Sequence, residues 1–199
     1  KTGVEINESA GILASPATAE KYGRVWQMGD AIQAGIGQSD NLFTPLQLAN
    51  YCATVANGGT RFESHFVKAI INSSNNSSDE TGITVVEELP ISNNTFSIVQ
   101  EGMRMVAKDG PIHSIFDTID TPVACKTGTS QVIKDGKKIN NGFLITYAPY
   151  KNPEIAVASA IEYAGSGSST ADITASIIDY YYSNNADIPP SQEAGTILD

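Results

Sequence analysis

The stretch "TPVACKTGTSQVIKDGKKINNGFLITYAPYKNPEIAVASAIEY", residues 121–163, decides the fold. Residues 121–133, 141–150 and 154–163 read as three strands in succession. Two short connections join them. Asp135-Gly136 is a hairpin dipeptide, since both residues tolerate the positive φ that a two-residue turn requires. Lys151-Asn152-Pro153 makes the second turn. Connections this short leave no room for a crossover, so the strands must run antiparallel, as a meander. The loop "AGSGSS" (164–169) then leads into "TADITASIIDYYYS" (170–183), a helix predicted to bury Ile173, Ile177 and Tyr181 against the sheet.

Further toward the N-terminus, "TFSIVQEGMRMVAKDG" (95–110) predicts a helix with Phe96, Val99, Met103 and Val106 on one face. Its methionines read as core filler. "NLFTPLQLANYCATVANGG" (41–59) predicts another. Thr44 is the N-cap, Pro45 fits the first helical position, Gln47 completes a capping box and Gly58 ends the helix. Ala49, Cys52, Ala53 and Ala56 form its face, small enough for another element to approach closely. "SHFVKAIIN" (64–72) and "GITVVEEL" (82–89) read as strands, with "NSSNNSSDET" (72–81) as a polar surface loop. The expected class is α+β, an antiparallel sheet with flanking helices. Residues 1–183 are expected to form the domain, and 184–199 a flexible tail with little to bury.

Composition narrows the function. A chain of 199 residues suits one domain or a large piece of one, and can bury about 70% of its unfolded surface. Its formal charge of −10 leaves no basic stripe for a phosphate backbone, which argues against nucleic acid and anionic lipid. Two histidines, His65 and His113, offer no zinc-ligand spacing, and neither a metal nor a cofactor is expected. No apolar run is long enough to cross a bilayer. The chain opens inside what reads as structured sequence, so we expect it to be part of something longer. Cys52 and Cys125 are predicted to be free buried thiols rather than a disulfide.

The tripeptide Lys126-Thr127-Gly128 carries the chemistry. Lys-Thr-Gly is one of three motifs of enzymes that acylate a serine. Lys126 can supply a fixed positive charge that attracts a carboxylate and eases proton transfer near a serine. Gly128 lets a substrate backbone lie against the strand. The hydroxyls of Thr127 and Thr129 can donate to a carboxylate, and the N–H of Thr129 can face a developing oxyanion. A second Lys-Thr-Gly starts at Lys1, but no strand leads into it. Ser39-Asp40-Asn41 is a tempting Ser-x-Asn, yet it lies in a loop with no Ser-x-x-Lys before it. No lysine in the chain has a serine three residues before it, so the nucleophile is not among these residues.

Taken together, "GIGQSDNLFTPLQLANYCATVANGG", "VACKTGTSQ", "GFLITYAPY" and "EIAVASAIE" resemble the class B penicillin-binding proteins in content and order. The resemblance runs from about Lys1 to Ser183 and sets aside both Lys1 and Ser39. It implies the C-terminal part of a peptidoglycan D,D-transpeptidase domain, a partial five-stranded antiparallel sheet covered by helices. Lys126 and Thr129 are implied as catalytic, and Thr127, Gly128 and Thr129 as substrate-binding. The implied partners are a peptidoglycan stem peptide, β-lactam antibiotics, the N-terminal half of the same domain and a membrane cell-wall synthesis complex. The implied location is the outer face of the bacterial cytoplasmic membrane. Two alternatives are a β-lactam sensor or β-lactamase-like acyl-serine protein, and a non-catalytic cell-division scaffold. Cys125 departs from the family, which usually has glycine there; a small buried hydrophobe is the favoured reading, a reactive thiol the other.

Overall fold

A computed structural model describes residues 1–75 and 77–185. After an irregular opening come two short helices, α1 (Pro16–Lys21) and α2 (Met28–Gly35). Ser15 caps α1 by accepting the Thr18 N–H, and Asp30 returns its carboxylate to the N–H of Gln27 ahead of α2. Helix α3 (Pro45–Ala56) has the predicted capping box. The Gln47 N–H donates to Thr44 Oγ1 at 3.2 Å, and the Thr44 N–H donates to Gln47 Oε1 at 2.9 Å. Past its end Gly58 takes φ +84°, a left-handed conformation that glycine adopts without steric cost.

Four short strands follow: β1 (Thr60–Phe62), β2 (Ala69–Asn72), β3 (Ser77–Glu80) and β4 (Val85–Glu88). The two predicted strands do not pair with each other. β1 pairs with β4, and β2 pairs with β3, which lies inside the stretch predicted to be loop. All four residues of β3 are exposed. A strand with neither face buried carries no hydrophobic alternation, so its sequence reads as loop.

Helix α4 (Asn93–Asp109) is capped by Ser92 and buries Phe96, Met103 and Ala107, while Val106 is half-buried and Val99 is exposed. A short α5 (His113–Phe116) leads to the meander of β5 (Ala124–Lys134), β6 (Lys137–Ala148) and β7 (Ile155–Ile161). The sheet order is β5-β6-β7, both pairs antiparallel. Asp135 and Gly136 both take positive φ at the first turn, as a two-residue hairpin requires. A 3-10 turn (Gly167–Thr170) precedes α6 (Ala171–Asn185).

The two faces of the meander bury different clusters. Val123, Cys125, Leu144 and Ala148 pack with Ile112, Phe116 and the α6 residues Ala171, Ala175 and Ile178. Ala124 and Tyr147 pack with Cys52, Val55 and Ala56 of α3 and with Met103. Helix α6 corrects the sequence reading: Ile173 and Ile177 are exposed, and Ala171, Thr174, Ala175 and Ile178 form the buried stripe. Small residues on that stripe let the helix lie close to the sheet, and a pattern weighted by isoleucine misses them. The helix also runs through Asn185 and so takes up the first two residues of the expected tail; the rest of that tail lies outside the described residues. Among the described residues no helix is long and apolar enough to cross a membrane.

Candidate active site

The Lys126–Thr129 segment lies in β5, opposite Ile145, Leu144, Phe143 and Gly142 of β6. Among the described strands only β6 pairs with β5, so the other side of β5 is a free edge. Lys126 Nζ donates to the Thr127 carbonyl at 2.7 Å, which places that carbonyl on the free side. In an antiparallel strand one residue's N–H and C=O point the same way, and the direction alternates. The N–H of Thr129 therefore also faces the free edge, where a backbone donor can meet an oxyanion.

The four side-chain positions do not share one face. Thr127 and Thr129 lie on the α6 side of the sheet, and Lys126 and Gly128 on the α3 side, because successive strand residues alternate. Lys126 is exposed and makes no ion pair among the described residues. At Gly128 an added Cβ would meet Phe143 Cβ at 3.5 Å and Phe143 O at 4.0 Å, both ordinary contacts. The packing of this chain does not require glycine there, so the space above the strand is left open. The Thr129 hydroxyl is engaged: it accepts the Gly167 N–H at 3.2 Å. Gly167 was not singled out by sequence reasoning. The only available signal was a glycine in a Gly/Ser loop, which by itself marks nothing more than a turn.

Helix α4 secures the start of this strand. Arg104 Nη1 donates to the Val123 carbonyl at 2.9 Å, and its guanidinium lies 5.9 Å from the centroid of the Tyr150 ring. The Tyr150 hydroxyl donates to Glu101 at 2.7 Å, and the Tyr150 N–H donates to the Pro122 carbonyl at 2.6 Å.

The other two motif-like segments have partners of their own. At Lys1-Thr2-Gly3 a carboxylate is already in place. Glu8 accepts the Thr2 N–H at 2.7 Å, the Thr2 hydroxyl at 2.9 Å and the Gly3 N–H at 3.0 Å. These backbone donors hold the Glu8 carboxyl below its usual range. Ser39 sits at φ +64° in a loop. Its neighbours are occupied: Asp40 pairs with Arg24, and Asn41 accepts the Ala14 N–H and donates to Gln38 O.

Cys125 is fully buried and faces away from Lys126. Both cysteines are free. Burial pushes the Cys125 thiol up to about 12, against the opposing pull of Lys126 and Arg104, and burial pushes Cys52 up to about 12 as well. At pH 8 roughly one such thiol in ten thousand is ionised, and the thiolate is the reactive form. A thiol reagent at pH 8 should therefore leave both cysteines unlabelled in the folded protein and label both after denaturation. Labelling of Cys125 in the folded protein would restore the reactive-thiol reading.

Comparison with known proteins gives a consistent result. The family described as Penicillin binding protein transpeptidase domain matches residues 5–179. A peptidoglycan D,D-transpeptidase MrdA from Haemophilus influenzae is 32% identical over 205 residues, covering 90% of this chain and 30% of that protein. Penicillin-binding protein 2A of Bacillus subtilis is 30% identical over 200 residues, covering 92% and 26%. Among solved structures, the Helicobacter pylori penicillin-binding protein PBP2, in complex with MreC, superposes with a TM-score of 0.76 at 26% identity, over 94% of this chain and 34% of that one. Penicillin-binding protein 2B of Streptococcus pneumoniae gives 0.74 at 28% identity, over 92% and 30%. The chain spans about a third of the length of the curated relatives it matches.

Proposed function

Because this chain belongs to the penicillin-binding protein transpeptidase family, in its class B branch, we propose that the intact protein is a serine-type D,D-transpeptidase that cross-links peptidoglycan. The observation that carries this reading is the Lys126–Thr129 segment on an edge of the sheet that is free among the described residues, with its lysine in no ion pair among them and its glycine uncrowded. In the proposed reaction a serine outside residues 1–199 attacks the carbonyl of a terminal D-Ala-D-Ala bond. The oxyanion forms against the Thr129 N–H and then collapses. D-Alanine leaves with a proton on its nitrogen, and the acyl group passes to an amine of a neighbouring peptide. Lys126 supplies positive charge and assists proton transfer, and Thr127 and Thr129 hold the terminal carboxylate. Gly128 leaves room for the peptide backbone. A β-lactam would be held at the acyl-enzyme stage.

The partners we propose follow from the same reaction: a stem peptide, β-lactams, the complementary half of the domain, and a membrane cell-wall synthesis complex. The relatives' names support this, and the Helicobacter relative is seen with MreC. We place the intact protein at the outer face of the cytoplasmic membrane, held by an anchor outside these residues. Relatives named as D,D-transpeptidases favour this reading over a sensor, a β-lactamase or a scaffold.

Labelling of the intact protein by a fluorescent penicillin, competed by unlabelled penicillin, is the test; absence of any covalent label would overturn the proposal. Thr129→Val should slow acylation by about tenfold or more, the value of one charge-assisted hydrogen bond. It should cost less than loss of Lys126, because the residue-129 N–H survives. Unchanged acylation kinetics would remove the carboxylate contact from the mechanism.

A further inference from the structure

The Thr129 hydroxyl is supported from behind by a segment distant in sequence. The Gly167 N–H that it accepts belongs to the 3-10 turn ahead of α6. The approach is as close as backbone permits. A Cβ on Gly167 would stand 2.4 Å from Gly128 O, 2.6 Å from Phe143 O and 2.8 Å from Gly128 N. Gly142 is crowded by the same loop, its Cβ position lying 2.3 Å from Ser166 O. The loop thus rests directly on the backbone of the third residue of Lys126-Thr127-Gly128.

A run of hydroxyls holds the loop down. Thr170 Oγ1 donates to Gly167 O at 2.8 Å, and Thr174 Oγ1 donates to Thr170 O at 3.0 Å. Ser159 of β7 lies 2.9 Å from Thr174 Oγ1, whose own proton is spent on Thr170, so Ser159 is the donor. Thr170 and Thr174 are both fully buried.

We propose that Gly167 is a positioning residue for the substrate wall, one that orients the Thr129 hydroxyl toward a substrate carboxylate. This rests on the acyl-transfer reading above. A hydroxyl has one proton and two lone pairs. With the Gly167 N–H on a lone pair, the proton is turned away from that N–H and is left for an acceptor outside the loop. Accepting a hydrogen bond also polarises the O–H, which strengthens it as a donor. Only glycine can bring its N–H this close to the strand.

The test compares acylation of the intact protein by benzylpenicillin and by its methyl ester, in which the carboxylate is capped. Gly167→Ala should lower the preference for the free carboxylate by about tenfold, and in a Thr129→Val background it should change that preference no further. Thr170→Val, which removes the hydroxyl from Gly167 O at constant shape, should act in the same direction, and Thr170→Ser should restore the wild-type ratio. An unchanged ratio in Gly167→Ala, or an equal loss for both ligands, would overturn the assignment. If Gly167→Ala shows no cooperative thermal unfolding, the Thr170→Val and Thr170→Ser pair decides by the same ratio. A wild-type protein acylated by neither ligand would sink the acyl-transfer reading itself, and this assignment with it.

Discussion

Lys126→Ala in the intact protein is expected to nearly abolish labelling by a fluorescent penicillin. The side chain is exposed, makes no ion pair among the described residues, and donates one hydrogen bond to the adjacent Thr127 carbonyl. Removing it should scarcely disturb folding, so the loss would be one of chemistry. Assisted proton transfer alone is worth about 10²–10⁴ in rate, and the charge that draws in the carboxylate is lost as well. Lys1→Ala is the control. Thr2 and Gly3 there are already committed to Glu8, and labelling should be unchanged. Equal effects from the two substitutions, read as gel fluorescence against time, would show that Lys126 is not the working lysine.

Residues 1–199 expressed alone should form no covalent adduct with any penicillin. Acylation needs a nucleophile whose proton is managed by a neighbour. No serine in this chain has a lysine three residues on. Ser39, the candidate by motif, is in a loop whose neighbours Asp40 and Asn41 are bound elsewhere. Among the described residues β7 pairs only with β6, so its outer edge is unpaired, and self-association of the isolated chain is expected too. Mass spectrometry after incubation with penicillin reads the result. A mass gain of one β-lactam on a serine of this chain would revive Ser39 and overturn the proposed division of the site. An adduct that appears only on an added N-terminal half would support it.

Much of this was legible in sequence because it is local. The capping box at Thr44, the hairpin at Asp135-Gly136 and the meander each depend on residues a few positions apart. Turn chemistry and short connections leave such segments few options. That Lys126 lies in a strand and Lys1 does not was also local, since only one copy follows an apolar run. Strand β3 was not legible, because neither of its faces is buried.

Local sequence thus suffices for the antiparallel β5-β6-β7 meander, for the position of Lys126-Thr127-Gly128 within it and for the lack of a Ser-x-x-Lys among these residues. Three outcomes come from packing: which stripe of α6 is buried, that Glu8 binds Thr2 and Gly3, and that Gly167 reaches Thr129. Those outcomes depend on how closely two backbones can approach. The Gly167–Thr129 contact joins residues 38 apart. No local propensity encodes such a distance, which is set by packing between the loop and the sheet.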